Sequence, residues 1–351
     1  MKITTFQKPT RRHRHHSFVF TAILLLCAAC SNEPTGPQNF SVSLAATNLQ
    51  RLPSGEGHYE LWISFPEQQH INKIAHGDED FVSFGKFNLS EDNSRILNLQ
   101  GEPMVFAPAK EIDINLAVDA IITIEVQGDT DDKPGSRLLG GEFVGNDREA
   151  TATLTTAAED AFDFDYTLTS GVYILATPTT NDTADFNRGI WWMNPASSTN
   201  ATAGLQQLSA LSDTSGWKYE GWVIDKSGAQ PLAYSTGKFL RGSGFDEDFA
   251  GPYAGPDSDD RNGDGRGDGF PFPGQDFIPD FGNIPPLSKL DSGFIEARMT
   301  LEPHPDNSPG PFQLEILVDP VIGPDLDGAN SIQSMENRAN RFPTARVKIN
   351  R

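Results

Sequence analysis

The sequence contains one set of short motifs twice, in the same order along the chain. Each set has a Tyr-Glu-x-Trp segment, a Ser-x-Gly-Lys-Phe segment and a Thr-x-Glu segment. The matching pairs are residues 59–63 with 219–223, 83–87 with 235–239, and 123–125 with 300–302. Three matches in one order predict two copies of a single domain, about residues 40–155 and 160–351.

The segments between these motifs have the composition of β-strands. Short runs rich in Val, Ile, Thr and aromatic residues alternate with Gly, Pro, Asn and Asp, which favour turns. Predicted strands include residues 41–44, 59–65, 121–126, 151–154, 171–176, 190–193 and 346–349. Only residues 331–340 suggest a short helix. The sequence therefore predicts an all-β protein made of two tandem β-sandwich domains.

Four tryptophans are candidates for core or ligand-binding positions. Trp62 and Trp222 lie in the repeated motif, and their large area favours a role as core anchors. Trp191 and Trp192 are adjacent, so on a strand they point to opposite faces. One of this pair is then a candidate exposed platform for a sugar or a peptide. The alternative is one ring in the core and the other packed under a loop.

The order of the repeated motifs resembles a known family. A Tyr-x-x-Trp segment, a Gly-Lys-Phe strand and a Thr-x-Glu strand followed by an Asp/Pro-containing turn are similar to the extracytoplasmic C-terminal domain of bacterial anti-sigma-K factors. The likeness rests on short motifs and covers most of both repeats. It implies a β-sandwich of sensory or binding character, without catalytic residues. We find neither that family's sigma-binding domain nor its transmembrane helix, so direct inhibition of a sigma factor is not expected.

The N-terminus has the pattern of a secretion signal. A basic region without acidic residues precedes the apolar run 18–26, which is shorter than the roughly 20 residues of a transmembrane helix. The run ends in Ala28-Ala29-Cys30, which resembles a bacterial lipobox, although Cys27 stands where leucine is usual. We expect residues 1–29 to be removed, Cys30 to be acylated, and residues 30–39 to form a tether to a membrane. Ser31 lacks the aspartate associated with inner-membrane retention, which favours the outer membrane.

Cysteine content and charge exclude several classes of protein. Cys27 and Cys30 are the only cysteines, so no disulfide can form within a mature chain. The formal net charge is −21, and loss of the basic signal makes the mature protein still more acidic. Such a field repels nucleic acid, which we exclude as a partner.

The second copy contains an insertion, about residues 242–286, that is rich in Gly, Pro and Asp. We expect a loop there, too polar and interrupted for a strand or helix. Within it, residues 260–268 match the opening of an EF-hand-type calcium loop. The predicted ligands are Asp260, Asn262, Asp264, the carbonyl of Arg266, and Asp268. Pro271 replaces the usual bidentate Glu, and the alternative is a solvated acidic loop without an ion.

The sequence gives no support to an enzyme. Beyond the signal it has four histidines, and it lacks the common metalloprotease, nucleophile-elbow and phosphate-loop motifs. Acidic pairs are too frequent for any one to be chosen as a catalytic dyad. We therefore expect a non-enzymatic envelope lipoprotein that binds or scaffolds an envelope protein or a glycan. The alternative is a sensory accessory of an anti-sigma-like signalling system.

Overall fold

The computed structural model describes residues 40–65, 80–178, 183–195, 201–247, 270–277, 287, 289–305, 308–323 and 331–351. These residues form β-strands and short 3-10 helices, and they include no α-helix. None of the helices in the described ranges is long and apolar enough to cross a membrane. The predicted all-β fold is confirmed.

The strands, numbered in chain order, are β1 (Ser41–Thr47), β2 (His58–Ser64), β3 (Phe81–Leu89), β4 (Ile96–Asn98), β5 (Asp119–Glu125), β6 (Ser136–Gly145), β7 (Glu149–Leu154), β8 (Ser170–Leu175), β9 (Gly189–Trp191), β10 (Met193–Asn194), β11 (Thr202–Ala203), β12 (Leu205–Gln206), β13 (Trp217–Asp225), β14 (Leu232–Phe239), β15 (Gly274–Asp276), β16 (Ile295–Pro303), β17 (Leu314–Asp319), β18 (Gln333–Ser334), β19 (Glu336–Asn337) and β20 (Thr344–Asn350). The 3-10 helices are Ile114–Leu116, Tyr166–Leu168, Thr183–Arg188 and Ala339–Arg341.

The largest sheet has eight antiparallel strands in the order β1-β20-β7-β6-β5-β2-β3-β4. β2 is buried along its whole length, which explains its continuous run of large side chains. β20 instead alternates between exposed and buried residues, with Ala345, Val347 and Ile349 in the core. This sheet therefore has strands covered on both faces and strands with one solvated face.

Two further sheets come from the second repeat. One has the order β14-β13-β16-β17-β19, and the other has β12-β8-β9-β15 with β18 also paired to β8. β10 and β11 form a two-stranded ribbon. The central strand β13 pairs with β14 and β16 as β2 pairs with β3 and β5.

The predicted division into two domains at about residue 155 is not confirmed. Residues Asn39–Arg351 form one compact unit. The C-terminal strand β20 lies between β1 and β7 in the sheet of the first repeat. One apolar cluster also contains residues of both repeats, from Val42 to Ile349. The repeats are thus joined by a shared sheet and a shared core.

Two local expectations were wrong. The insertion at 242–286 is not entirely loop, because Gly274–Asp276 forms β15 and pairs with β9. Three residues are too few to show an alternating pattern. Position 274 requires glycine because a Cβ atom there would lie 2.6 Å from the ring of Trp191. Residues 331–340 form β18, β19 and the start of a 3-10 helix instead of an α-helix.

Candidate functional site: two carboxylate networks and the cleft beside them

Polar side chains of the first repeat form a buried network on the face of β2 that points away from the main core. The indole Nε1 of Trp62 donates to the hydroxyl of Thr123 at 3.0 Å, and that hydroxyl donates to Glu125. The hydroxyl of Ser83 donates to Glu60. All but Ser83 of these side chains are almost completely buried. We call Glu60, Trp62, Ser83, Lys86, Thr123 and Glu125 the first carboxylate network.

The second repeat builds the same arrangement from equivalent residues. Trp222 Nε1 donates to Thr300 at 2.9 Å, and the Thr300 hydroxyl donates to Glu302. The hydroxyl of Ser235 donates to Glu220 at 2.5 Å. We call Glu220, Trp222, Ser235, Lys238, Thr300 and Glu302 the second carboxylate network. Trp62 and Trp222 therefore occupy equivalent positions on their strands.

A bulge in the neighbouring strand pair places the lysine of each network. The pairing register shifts between Leu61 and Trp62 in β2, and between Glu220 and Trp222 in β13. Both bulges lie opposite a Gly-Lys pair whose glycine has positive φ, 127° at Gly85 and 103° at Gly237. Because glycine adopts this conformation without steric cost, the next lysine can turn toward the glutamate. The Nζ to Oε2 distances are 3.7 Å for Lys86 to Glu60 and 3.6 Å for Lys238 to Glu220.

The Thr-x-Glu glutamates also hold the loops that follow their strands. Oε1 of Glu125 accepts a hydrogen bond from the backbone of Gly135 at 2.9 Å, and Oε1 of Glu302 accepts one from Phe312 at the same distance. Both loops close ten residues after the glutamate. Each buried carboxylate thereby joins a central strand to a surface loop.

Burial shifts the protonation equilibria of the first network. It raises the pKa of Glu60 and of Glu125, because the charged carboxylate loses its hydration. Burial also lowers the pKa of His58, and the nearby Lys86 lowers it further. For Lys86 burial alone would lower the pKa, but the hydrogen bond to Asp129 and the charge of Glu60 raise it overall. The lysine therefore stays charged between carboxylates.

A cleft of about 990 Å³ is lined by residues of the two glutamate-anchored loops, 126–135 in the first repeat and 303–305 with 308–312 in the second, and by residues 52–56 and 214–216 at its sides. Hydrogen bonds connect the repeats at this place. Ser136 Oγ donates to the carbonyl of Gly216 at 3.0 Å, and the backbone of His304 donates to the same carbonyl at 2.8 Å. Trp217 Nε1 donates to the carbonyl of Arg137 at 3.1 Å. The walls of the cleft are fixed against each other.

The cleft offers acidic and apolar surface together. Glu56, Asp129 and Asp131 contribute carboxylates, and Lys133 contributes an ammonium group. Asp129 is engaged by Lys86, whose Nζ lies 3.1 Å from its Oδ2. Val126 is 53% exposed beside them. Prolines and Phe312 form the opposite side. Such a mixture of apolar surface and a few polar groups is typical of binding clefts.

The structure does not expose the tryptophan pair that the sequence offered as a ligand platform. Trp191 and Trp192 are both 0% exposed. Nε1 of Trp191 donates to the carbonyl of Ala176 and to Asp276, and Nε1 of Trp192 donates to Thr236 at 3.2 Å. The two rings do enter different apolar clusters, as alternation along a strand requires. Both rings are therefore covered, and the alternative of one ring in the core and the other packed under a loop describes the pair, since Trp191 packs against Phe270 and Phe272.

The remaining predicted site residues lie outside the described part of the chain. These are the lipidation site Cys30 and the calcium ligands Asp260, Asn262, Asp264, Arg266 and Asp268. In the ranges that are described, no group of three or more His, Cys, Asp or Glu side chains is placed to hold a metal ion.

Sequence reasoning treated the repeated motifs as landmarks of the fold and missed their networks. The available signal was the recurrence of Glu, Lys and Thr within strands that are otherwise apolar. The two lining loops share an Asp/Pro-containing turn after the Thr-x-Glu motif, but nothing in the sequence indicated that the two turns would line one cleft.

The fold and site define an all-β protein with a duplicated carboxylate network. Comparison with known proteins finds no matching family model, no matching curated protein and no matching solved structure.

Proposed function

We propose that this protein is an exported lipoprotein that holds a rigid all-β body at the cell envelope and binds an envelope protein or glycan through the cleft. The observation that carries the proposal is the pair of loops fixed by Glu125 and Glu302, which line one cavity. Its volume, about 990 Å³, is at the upper end of the usual range for ligand sites. Preformed walls favour binding because little conformational entropy is lost when a partner is captured.

The proposed attachment is the acyl group on Cys30, with the outer membrane as the site. Support comes from the basic region, the short apolar run and the Ala-Ala-Cys ending of residues 1–30. The acidic character of the chain favours a lipid anchor over electrostatic adsorption to anionic headgroups.

The hydrogen bonds of the buried glutamates favour a binding function over catalysis. Glu60 and Glu125 accept hydrogen bonds from Ser83 and Thr123, so their carboxylates serve the fold. Glu125 also lines the cleft, and of the other acids there Asp129 is paired with Lys86 and Asp131 is exposed. A general acid or base needs a positioned carboxyl within reach of a substrate, and this arrangement favours a binding surface.

A sensory role is the second candidate. The motifs that resemble anti-sigma-K factors build one structural unit in each repeat, which is the observation in its favour. A sigma-factor gene beside the gene for this protein would support the sensory role, whereas an envelope-assembly gene would support binding or scaffolding.

Cysteine labelling tests whether the cleft is occupied in the envelope. Val126→Cys places a thiol in the cleft, and Val144→Cys places one on β6 at a position that is 74% exposed. Neither change buries or exposes a core group. Cys30 is blocked by its lipid in the proposed mature protein, and wild type measures any background.

If the cleft binds a partner, maleimide labelling of Val126→Cys should be severalfold slower in isolated envelopes than in purified, detergent-solubilised protein. Val144→Cys should react at the same rate in both preparations. Equal rates for Val126→Cys in the two preparations would contradict cleft binding, and equal slowing at both positions would show general shielding of the protein instead.

A further inference from the structure

A second, smaller pocket lies on another part of the molecule. It has a volume of about 440 Å³ and shares no lining residue with the cleft. Its polar lining is Asn48, Gln50, Asn93, Gln313, Arg338 and Arg341, with Glu315 at one side. We call it the amide–arginine pocket. Every residue that lines it belongs to the described part of the chain.

Hydrogen bonds hold the amide side of this pocket in place. The backbone of Gln50 donates to Oε1 of Gln313 at 2.8 Å, and Nε2 of Gln313 donates to the hydroxyl of Tyr59 at 2.6 Å. The Tyr59 hydroxyl in turn donates to the carbonyl of Gln50 at 2.7 Å. This closed ring joins the segment before β2 to the start of β17. The amide wall is therefore preorganised.

The arginine side is anchored through its backbone. The amide of Arg338 donates to the carbonyl of Ile316 at 2.8 Å, and the amide of Arg341 donates to the carbonyl of Arg338 at 2.9 Å. Asn337 ties the same segment to residues 166 and 169 through its side-chain amide. The backbone that carries both arginines is thus fixed, while the guanidinium of Arg341 remains available for contacts.

Several donors around the pocket have no partner among the residues that the structure describes. The guanidinium of Arg341 makes no ion pair or hydrogen bond there. Arg338 binds Glu336 through one terminal nitrogen at 2.6 Å, but its Nε is buried and unpaired. Asn93 uses its side-chain oxygen to accept a backbone hydrogen bond, which leaves its NH2 group free. The side chain of Asn48 is likewise unpaired.

The carboxylate that lines the pocket, that of Glu315, is already paired. Oε1 of Glu315 lies 2.6 Å from Arg298, which also binds Glu296. Arg341 therefore supplies an uncompensated positive charge at the pocket of a chain whose net charge is −21. A guanidinium matches a carboxylate through two parallel hydrogen bonds, and side-chain amides both donate to and accept from hydroxyl groups.

We propose that the amide–arginine pocket binds one carboxylate-bearing sugar unit, a uronic acid. Arg341 receives the carboxylate, Arg338 lines the pocket beside it, and Asn48, Gln50 and Asn93 bind hydroxyl groups. One free guanidinium suits a monoanion, and the acidic surroundings repel polyanions. The inference does not depend on the cleft, because the two sites have separate walls.

Isothermal titration calorimetry on the full mature protein in detergent tests this proposal with D-galacturonate, D-galactose and inorganic sulfate as probes. Wild type should bind galacturonate at least about tenfold more tightly than galactose, since a charge-assisted bidentate contact is lost with the neutral sugar. Arg341→Gln should weaken galacturonate binding at least about tenfold for the same reason. Arg346→Gln removes an exposed arginine from β20, outside the pocket, and should leave the affinity unchanged.

A second variant separates binding from folding. Asn48 has a φ of 57°, so Asn48→Gly removes its amide while keeping the backbone conformation. It should weaken galacturonate binding without lowering the melting midpoint, even if Arg341→Gln folds poorly. Absence of galacturonate binding to wild type, or unchanged affinity in Asn48→Gly and Arg341→Gln, would overturn the proposal. Sulfate binding as tight as that of galacturonate would show a simple anion site and overturn the sugar assignment.

Discussion

At the scale of single residues, the buried carboxylate of Glu125 connects its own strand to the loop that follows it. Its Oε1 accepts from Thr123 within the strand and from Gly135 in the following loop. Both contacts need an acceptor, because both partners donate. Burial makes that acceptor costly when it is charged, which raises the pKa of Glu125. The same residue therefore organises the loop and makes stability depend on pH.

Glu60 and Glu125 should contribute stability that increases as the pH falls toward 4.5, whereas His58, whose pKa burial lowers, should contribute the opposite trend below pH 6.5. The pKa values of Glu60 and Glu125 are higher in the folded protein than their ordinary value of 4.5, so protonation favours the folded state. This contribution appears as pH falls through the folded pKa values and is complete below the unfolded value. Urea unfolding at several pH values measures it. Glu60→Gln and Glu125→Gln should each reduce the gain.

Asp92→Asn provides the control for the pH experiment. Its hydrogen bonds with Ser90 and Ser94 lower the pKa of Asp92 to about 2, so its contribution changes only at pH values below its ordinary 3.8. The variant should keep the wild-type slope between pH 7 and 5. A pH dependence of stability that is the same in Glu60→Gln and Glu125→Gln as in wild type would contradict the assignment of the buried glutamates.

At the scale of elements, the sequence predicted the strands that carry local patterns. The predicted strand 59–65 is observed as His58–Ser64, and 346–349 lies within Thr344–Asn350. Neighbouring side chains determine these strands through alternation and β-branched composition. The burial of Trp191 depends instead on β15, more than eighty residues later in the chain. No local pattern could indicate that this segment returns to cover the ring.

The duplicated networks predict matched effects of the same substitution. Thr123→Val and Thr300→Val each leave an indole N–H and a buried carboxylate without their shared hydroxyl. Each should lower the free energy of unfolding by about 1–3 kcal/mol, the usual cost of unsatisfied buried polar groups. Chemical denaturation measures both losses. The networks share no residue, so the double variant should lose the sum of the two.

Thr153→Val is the matched control, because Thr153 is exposed on β7 and the substitution is the same. It should leave the free energy of unfolding almost unchanged. A loss confined to one repeat would show that the two networks, despite their matching contacts, contribute differently to stability.

At the scale of the whole molecule, the repeat pattern led to two domains, whereas the described chain forms one compact unit. The reason is the placement of β20, which pairs with β1 at the other end of the chain. Such pairing adds stability only after about three hundred residues are in place, and local sequence patterns do not encode it. The cleft is lined by residues of both repeats, so it could not be predicted without knowing that the repeats are joined. The sensory role implied by the family resemblance stays a prediction.

The predicted calcium loop also bears on the whole molecule, because an ion that binds only the folded state stabilises it by mass action. A site without the position-twelve glutamate should be weak, about 10⁻⁴ to 10⁻³ M, which suits an extracellular concentration in the millimolar range. Millimolar calcium should raise the melting midpoint of wild type and chelator should lower it. Asp264→Ala should not respond. If the melting midpoint of wild type does not change, or if the variant shifts equally, the loop is acidic but does not bind calcium at these residues.

Metabolic labelling with a radioactive fatty acid tests most directly the proposal that an acyl group on Cys30 attaches the protein to the envelope. Wild type and Cys27→Ala should incorporate the label, since the small residues Ala28 and Ala29 direct processing to Cys30. Cys30→Ala should incorporate none and should retain its signal segment. Label that persists in Cys30→Ala and disappears from Cys27→Ala would contradict the proposed anchor.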